Sequence, residues 1–250
     1  MDNIVFCLEN NSNLNHETKE TIINIISVYN KFLSDVNCPI NEENLSFILS
    51  NITISEEETS DIKYDSTNNK IIVPDTKKYN YKVNEEKLNY MFIKTMLSVI
   101  TTIHHQDSTI TNGVIFSNNN KKYGEVINEV ISDRILELTF GNPDYIVEQS
   151  PKAIGFKDEL FRNLEEIYGS EKLLNYYLNG KGIELYSTMA QMFDSEEKAL
   201  NLISLMDEAS KIEPNDIEKA FQLRKYEYDI YNDIEFLKNV SKNNKISRVA

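Results

Sequence analysis

Glu129 and Asp133 stand four residues apart in the run Ile127-Asn128-Glu129-Val130-Ile131-Ser132-Asp133-Arg134-Ile135. A helix there places both carboxylates on one face. The surrounding positions are apolar, and two carboxylates in such company call for a cation, a metal ion or hydrogen-bond donors. The same spacing also suits a helix whose acidic edge is solvated while its apolar edge packs. Other reactive side chains are sparse. His104 and His105 are adjacent, so on a helix they point about 100° apart; they read as exposed polar residues or as a C-terminal cap favoured by the helix dipole. His16 precedes a helix and reads as a surface residue. Cys7 and Cys38, the two cysteines of the chain, have no histidine near them in sequence and read as small core side chains. Ser98 and Ser132 beside Lys94 raise a Ser–Lys pair, but no oxyanion hole is advertised for it. The chain has no Gly-rich phosphate loop, no G-x-S-x-G elbow and no C-x-x-C.

The elements that must position these residues are mostly helical. Residues 16–34 repeat Ile22, Ile25, Ile26, Tyr29 and Leu33 at three- and four-residue steps, and 41–50 begins at Asn41 with Leu45, Ile48 and Leu49 inward. Ile52-Thr53-Ile54 reads as a strand. A hairpin follows, residues 61–65 and 70–74, around the turn-forming run Ser66-Thr67-Asn68-Asn69. Asn84 is expected to cap a helix running to about Ile103, apolar on nearly every side between Tyr90 and Ile100 and therefore buried. After a polar connection holding Gly113-Val114-Ile115-Phe116, a second buried helix spans about 124–140 and ends at Gly141-Asn142-Pro143. Helices are then expected over about 156–168, 170–179, 183–207, with a break near Asp194, and 214–239. In the last, Ile217, Phe221, Tyr228, Tyr231 and Ile234 suggest one amphipathic stripe.

Composition bounds the function classes. The 250 residues include 40% hydrophobic and 10% aromatic side chains, enough for a real core, and 7 Gly with 5 Pro argue against an all-β fold. The net charge of −14 repels a phosphate backbone and an anionic membrane surface alike, so neither nucleic acid nor membrane is an expected partner. The lysine doublets at 77–78 and 121–122 make no basic patch, and the stretch from Lys238 to Arg248 reads as a frayed, mildly basic tail. No run approaches 18 apolar residues and the first residues lack a positive n-region, so the expectation is a cytoplasmic chain with free thiols.

The motif N-E-x-x-S-D at Asn128 to Asp133 resembles the second signature of the thermolysin-like gluzincin metallopeptidases. In that family the Glu is the third zinc ligand and the Asp orients a ligand histidine. The preceding helix should then carry H-E-x-x-H, two histidines for zinc and a glutamate as general base. Here it reads Tyr90-Met91-Phe92-Ile93-Lys94-Thr95-Met96-Leu97-Ser98, with Lys94 and Ser98 at the histidine positions and Thr95 at the base. The wider order also resembles small bacterial gluzincin-like proteins, over roughly residues 60–210. These follow the hairpin and the two motif helices with a helical lobe, to which Ile167-Tyr168-Gly169-Ser170-Glu171 and Tyr176-Tyr177 look similar.

The resemblance implies a zincin-like α+β fold, mostly helical, with a small β meander or hairpin followed by a helical lobe. It implies three segments packed as one unit: residues 1–50, a core at 51–145 and a lobe at 146–250. It also implies that the inherited zinc site is lost and no catalytic residue remains. Protonated Lys cannot ligate zinc, Ser is a poor ligand, and Thr is no base near neutral pH. Lys94 is expected near Glu129, its ammonium standing in for the metal; the plainer alternative has Lys94 snorkelling from the helix edge. The expected protein is a pseudopeptidase, a binding or structural module that takes a protein or peptide in the former cleft. Two alternatives stand beside it: a metal-dependent hydrolase with a non-standard site on Glu129 and Asp133, and an unrelated helical interaction protein.

Overall fold

A computed structural model of the chain describes residues 1–76, 85–141 and 151–247, with side chains described from 159 onward in the last stretch and up to 244. The fold is α+β and mostly helical, with three small sheets. The expected cap at Asn84, the doublet at 77–78 and the stop at Asn142-Pro143 lie outside the described residues. No helix among the described residues is long and apolar enough to cross a membrane.

The chain falls into two compact units. Residues Met1–Asn112 with Ile135–Gln149 form the first, and Gly113–Arg134 with Ser150–Ala250 the second. The first unit opens with α1 (Asp2–Asn10), α2 (His16–Asp35) and α3 (Glu42–Asn51). Asn15 caps α2 by accepting from the Thr18 amide, and Asn41 caps α3 by accepting from that of Asn44. All five apolar residues expected on the inner face of α2 are buried, and the Tyr29 hydroxyl at its far end donates to the Ile93 carbonyl at 2.9 Å. Asn11, 2% exposed, joins α1 to the end of α3 by donating to the carbonyls of Leu49 and Ile52.

Three strands follow: β1 (Thr53–Glu57), β2 (Lys63–Asp65) and β3 (Lys70–Pro74). The hairpin of β2 and β3 forms as the turn chemistry dictates. Asp65 accepts from the amides of Thr67 and Asn68, and Asn69 takes the left-handed φ of 50° that Asn tolerates. The sheet is no meander, however. Its order is β1-β3-β2, with β1 parallel to β3 in the register Thr53↔Lys70 to Glu57↔Pro74. The reason lies in β3, whose Ile71 and Ile72, on opposite faces, are both buried; a strand apolar on both faces takes the central place.

Helix α4 (Glu85–Thr101) stops two residues short of the expected Ile103. Thr102–His104 is instead strand β4, paired antiparallel with β5 (Ile110–Asn112). The β-branched run Val99-Ile100-Thr101-Thr102-Ile103 disfavours further helix, and the hydroxyls of Thr101 and Thr102 both donate to the Ser98 carbonyl, competing with the helical ladder.

In the second unit β6 (Phe116–Asn118) and β7 (Lys121–Tyr123) make a tight hairpin through Asn119 and Asn120, both at positive φ. Helix α5 (Glu125–Phe140) follows; its residues 125–134 belong to the second unit and 135–140 to the first. Then come α6 (Pro151–Tyr168), α7 (Ser170–Leu178), α8 (Gly182–Phe193), α9 (Glu196–Ala209) and α10 (Ile217–Ser247). The break expected near Asp194 is real: Asp194 is left-handed at φ 51°, and Ser195 caps α9 by accepting from the Lys198 amide.

Two expectations about α10 are corrected. Ile217, Phe221, Tyr228 and Tyr231 are exposed while Ile230, Ile234 and Leu237 are buried, so the apolar residues form two separate faces. The stretch from Lys238 is no frayed tail, since helix continues to Ser247. Lys238 and Lys242 bind Glu166 at 3.1 and 2.9 Å, and the buried Ser241 hydroxyl donates to the Ile167 carbonyl at 2.7 Å.

Candidate functional site

Lys94, Thr95 and Ser98 lie in the middle of α4, whose burial is confined to its second half: residues 95–97 and 99–101 are buried, while 90–93, expected to be buried, are half-buried. Lys94 and Ser98 are half-buried and Thr95 is buried. The Thr95 hydroxyl donates to the carbonyl of Ile62, just before β2, at 3.0 Å. Ser98 is tied from the other direction. The side-chain amide of Asn112, on β5, donates to the Ser98 hydroxyl at 2.8 Å, to its carbonyl at 3.1 Å and to the Thr102 hydroxyl at 2.7 Å. The two hydroxyls thus fasten α4 to the hairpin side and to the β4–β5 ladder of its own unit. A buried hydroxyl held by a backbone carbonyl is a structural tie with no basic character.

Asn128, Glu129 and Asp133 lie on α5 within the second unit, all three half-buried. The Asn128 side-chain oxygen Oδ1 accepts from the Val114 amide at 3.0 Å, so the first residue of the second motif holds the segment leading into β6. The neighbouring Gly113 sits at φ +57°, and any Cβ there would collide with the Asn128 side chain. Ser132 is buried, 6% exposed.

The start of α5 is held by a residue that motif reading passes over. Asp207, on α9 and 6% exposed, accepts from the Gly124 amide through Oδ2 and from the Val126 amide through Oδ1, each at 2.8 Å. Burial pushes its carboxyl above the ordinary range, against the pull of the Val126 and Gly124 bonds and of Lys211, while Glu125 adds to the rise. The first amides of a helix have no intrahelical partner, so a carboxylate meets them with charge and geometry together. The signal was in the sequence: Ala199, Leu202, Ile203 and Met206 mark the inner face of α9, and Asp207 falls on it four residues after Ile203.

His16 and His105 are exposed, as expected, but His104 departs from expectation. His104 is on β4 rather than at a helix end. Its amide donates to the Asn44 side chain at 3.1 Å, and its ring packs edge-on against Phe47 at 5.7 Å. Its Nε2 is buried and has no hydrogen-bond partner among the described residues. Burial first, then the neighbouring His105, holds the His104 pKa below the ordinary histidine value. The sign for stability follows. A base with a lowered folded pKa contributes fully above the unfolded value of about 6.5, and the contribution is lost as the pH falls from there through the folded pKa. We expect stability to fall as the pH drops below about 6.5, above the range where most carboxylates titrate, and His104→Phe to flatten that slope. Denaturant midpoints of both proteins on either side of that pH check it; parallel slopes would show that His104 does not titrate with unfolding. His105 Nε2 lies 3.0 Å from the Thr111 hydroxyl, and His16 pairs at 3.4 Å with Glu20 on the exposed side of α2. Cys7 and Cys38 are free thiols.

Zinc does not fit the donors at 94, 95 and 98. One is an ammonium, and the two hydroxyls are engaged as described. Among the described residues no three His, Cys, Asp or Glu side chains gather closely enough to hold an ion. Comparison with family models, with curated proteins and with solved structures finds no match for this chain.

Proposed function

We infer that this chain is a non-hydrolytic, zincin-like metallopeptidase relative that works by binding a protein or peptide rather than by cleaving one. The observation that carries the reading is the chemistry of α4. At the position of the general base, Thr95 spends its hydroxyl on the Ile62 carbonyl; at a ligand position, Ser98 spends its own on Asn112. Metal-assisted hydrolysis needs an ion that generates hydroxide and polarises the scissile carbonyl, each contribution worth several kcal/mol. Lys94, Thr95 and Ser98 hold no ion and abstract no proton, so the helix that would bear the machinery bears structural ties. The net charge of −14 makes a basic or neutral polypeptide a better partner than nucleic acid.

The test is elemental analysis of the chain purified without chelators, joined to a hydrolysis assay on unstructured peptides with and without added zinc. Sub-stoichiometric metal and no metal-dependent cleavage are expected. Cleavage that follows zinc loading would instead favour a hydrolase with a non-standard site.

A further inference from the structure

Helix α10 carries an exposed stripe that its own unit leaves uncovered. Ile217 (76% exposed), Phe221 (66%), Tyr228 (67%) and Tyr231 (58%) fall within an arc of about 80° at 100° per residue. The buried residues Ile230, Ile234, Leu237 and Ser241 lie on roughly the opposite side. Along the stripe the residues Ile217, Phe221, Arg224, Tyr228, Tyr231 and Glu235 follow one another at steps of four and three, the spacing by which one helix seats another. Scattered surface apolar residues need no explanation, but this row is continuous and largely aromatic.

Two charges on the stripe say what covers it. Arg224 is exposed and makes no ion pair among the described residues; Glu235 is half-exposed and accepts from Lys238 through one carboxylate oxygen, at 3.0 Å. They stand eleven residues apart, about 16 Å along the axis. Parallel pairing of two copies would set Arg224 against Arg224 and Glu235 against Glu235. Antiparallel pairing about a two-fold axis between residues 229 and 230 sets each Arg224 against the partner's Glu235 and each Tyr228 against the partner's Tyr231. Both sets of contacts occur twice, as an isologous interface requires. Phe221 and Ile217 then run along the partner's last turns, where Asn239 and Lys242 are exposed. We propose that α10 is a self-association surface on which a second copy of this chain docks antiparallel through the 217–235 stripe, in a register set by the Arg224–Glu235 pairs. The proposal rests on α10 alone and is independent of the binding function argued above.

The two chains, each at −14, repel over the rest of their surfaces, so the equilibrium is best read at about 0.15 M salt, where the screening length is about 8 Å. Sedimentation of the full chain over a concentration series is expected to show a monomer–dimer equilibrium. Arg224→Glu and Glu235→Arg should each weaken it by at least about tenfold, because each sets like charges in register. The double variant R224E/E235R should return it to within about threefold of the original, and mixing the two single variants should yield a heterodimer. Arg224 is exposed, and Lys238 keeps its bond to Glu166 when Glu235 is replaced, so folding is not at stake; unchanged helicity by circular dichroism checks that. A chain that stays monomeric at the highest concentration overturns the proposal. So does a double variant as weak as the single ones.

Discussion

Replacing Asp207 with alanine is expected to lower the stability of the second unit by about 3 kcal/mol, the sum of leaving two buried amides without an acceptor. Those of Gly124 and Val126 point inward at the start of α5, and both residues are buried. No intrahelical carbonyl is available to the first turn. For a chain of this size the loss corresponds to a fall of about 6–12 °C in the unfolding midpoint. Asp207→Asn should fall between: its amide oxygen serves one N–H while its own NH2 opposes the other. The nearby Glu125–Lys211 pair is a useful contrast. Both partners are largely exposed, with 44% and 64% of their side-chain surface accessible, and Lys211→Ala should change little. Thermal melts of the three variants decide the matter. Equal, small shifts for Asp207→Ala and Lys211→Ala would mean that Asp207 is not the clamp on α5.

The second large effect is expected at Gly182, the first residue of α8. A methyl group there would overlap the carbonyl group of Val114, which is backbone and cannot rotate aside. Val114 cannot easily retreat, because its amide is held by Asn128. Gly182→Ala is therefore expected to cost about 2–3 kcal/mol, the upper range for forcing extra volume into a packed site. Gly169 makes the control. Its φ of +82° strains any side chain, but the space around it is open, so Gly169→Ala should lose only about 1 kcal/mol from backbone strain. Urea titrations that rank Gly169→Ala as the worse of the two would show that the contact at Gly182 relaxes by a shift of α8.

Periodicity made much of the helical part of the fold legible. The α2 face from Ile22 to Leu33 and the break at Asp194 follow from spacing and capping residues that act within one or two turns. The hairpin of β2 and β3 follows from its turn in the same way. What escaped depends on contacts remote in sequence. The parallel pairing of β1 with β3 is settled by which strand is apolar on both faces, and the strand at Thr102–His104 by threonine hydroxyls competing for the Ser98 carbonyl. On α10 the apolar residues are only three or four positions apart, so one-dimensional reading merged Ile234, which is buried, with Tyr231, which is exposed.

At the candidate site the residue types were plain and their duties were not. A Thr and a Ser hydroxyl are, by their chemistry, a poor base and a poor zinc ligand. That Thr95 and Ser98 bind Ile62 and Asn112 could not be read from the helix, since both partners come from neighbouring strands and loops. Asp207 was the larger omission, a single acid on an otherwise apolar helix face whose partners are backbone amides more than eighty residues away. Donation by a backbone amide leaves no trace in the donor's sequence.

Metal content tests the account most directly. Protein prepared without chelators, equilibrated with a modest excess of zinc at neutral pH and freed of unbound ion, should retain far less than one zinc per chain by mass spectrometry of the elements. An ammonium and two occupied hydroxyls at 94, 95 and 98 are the reason the proposed reading gives for that result. One tightly held zinc per chain, lost when Glu129 or Asp133 is replaced, would contradict it.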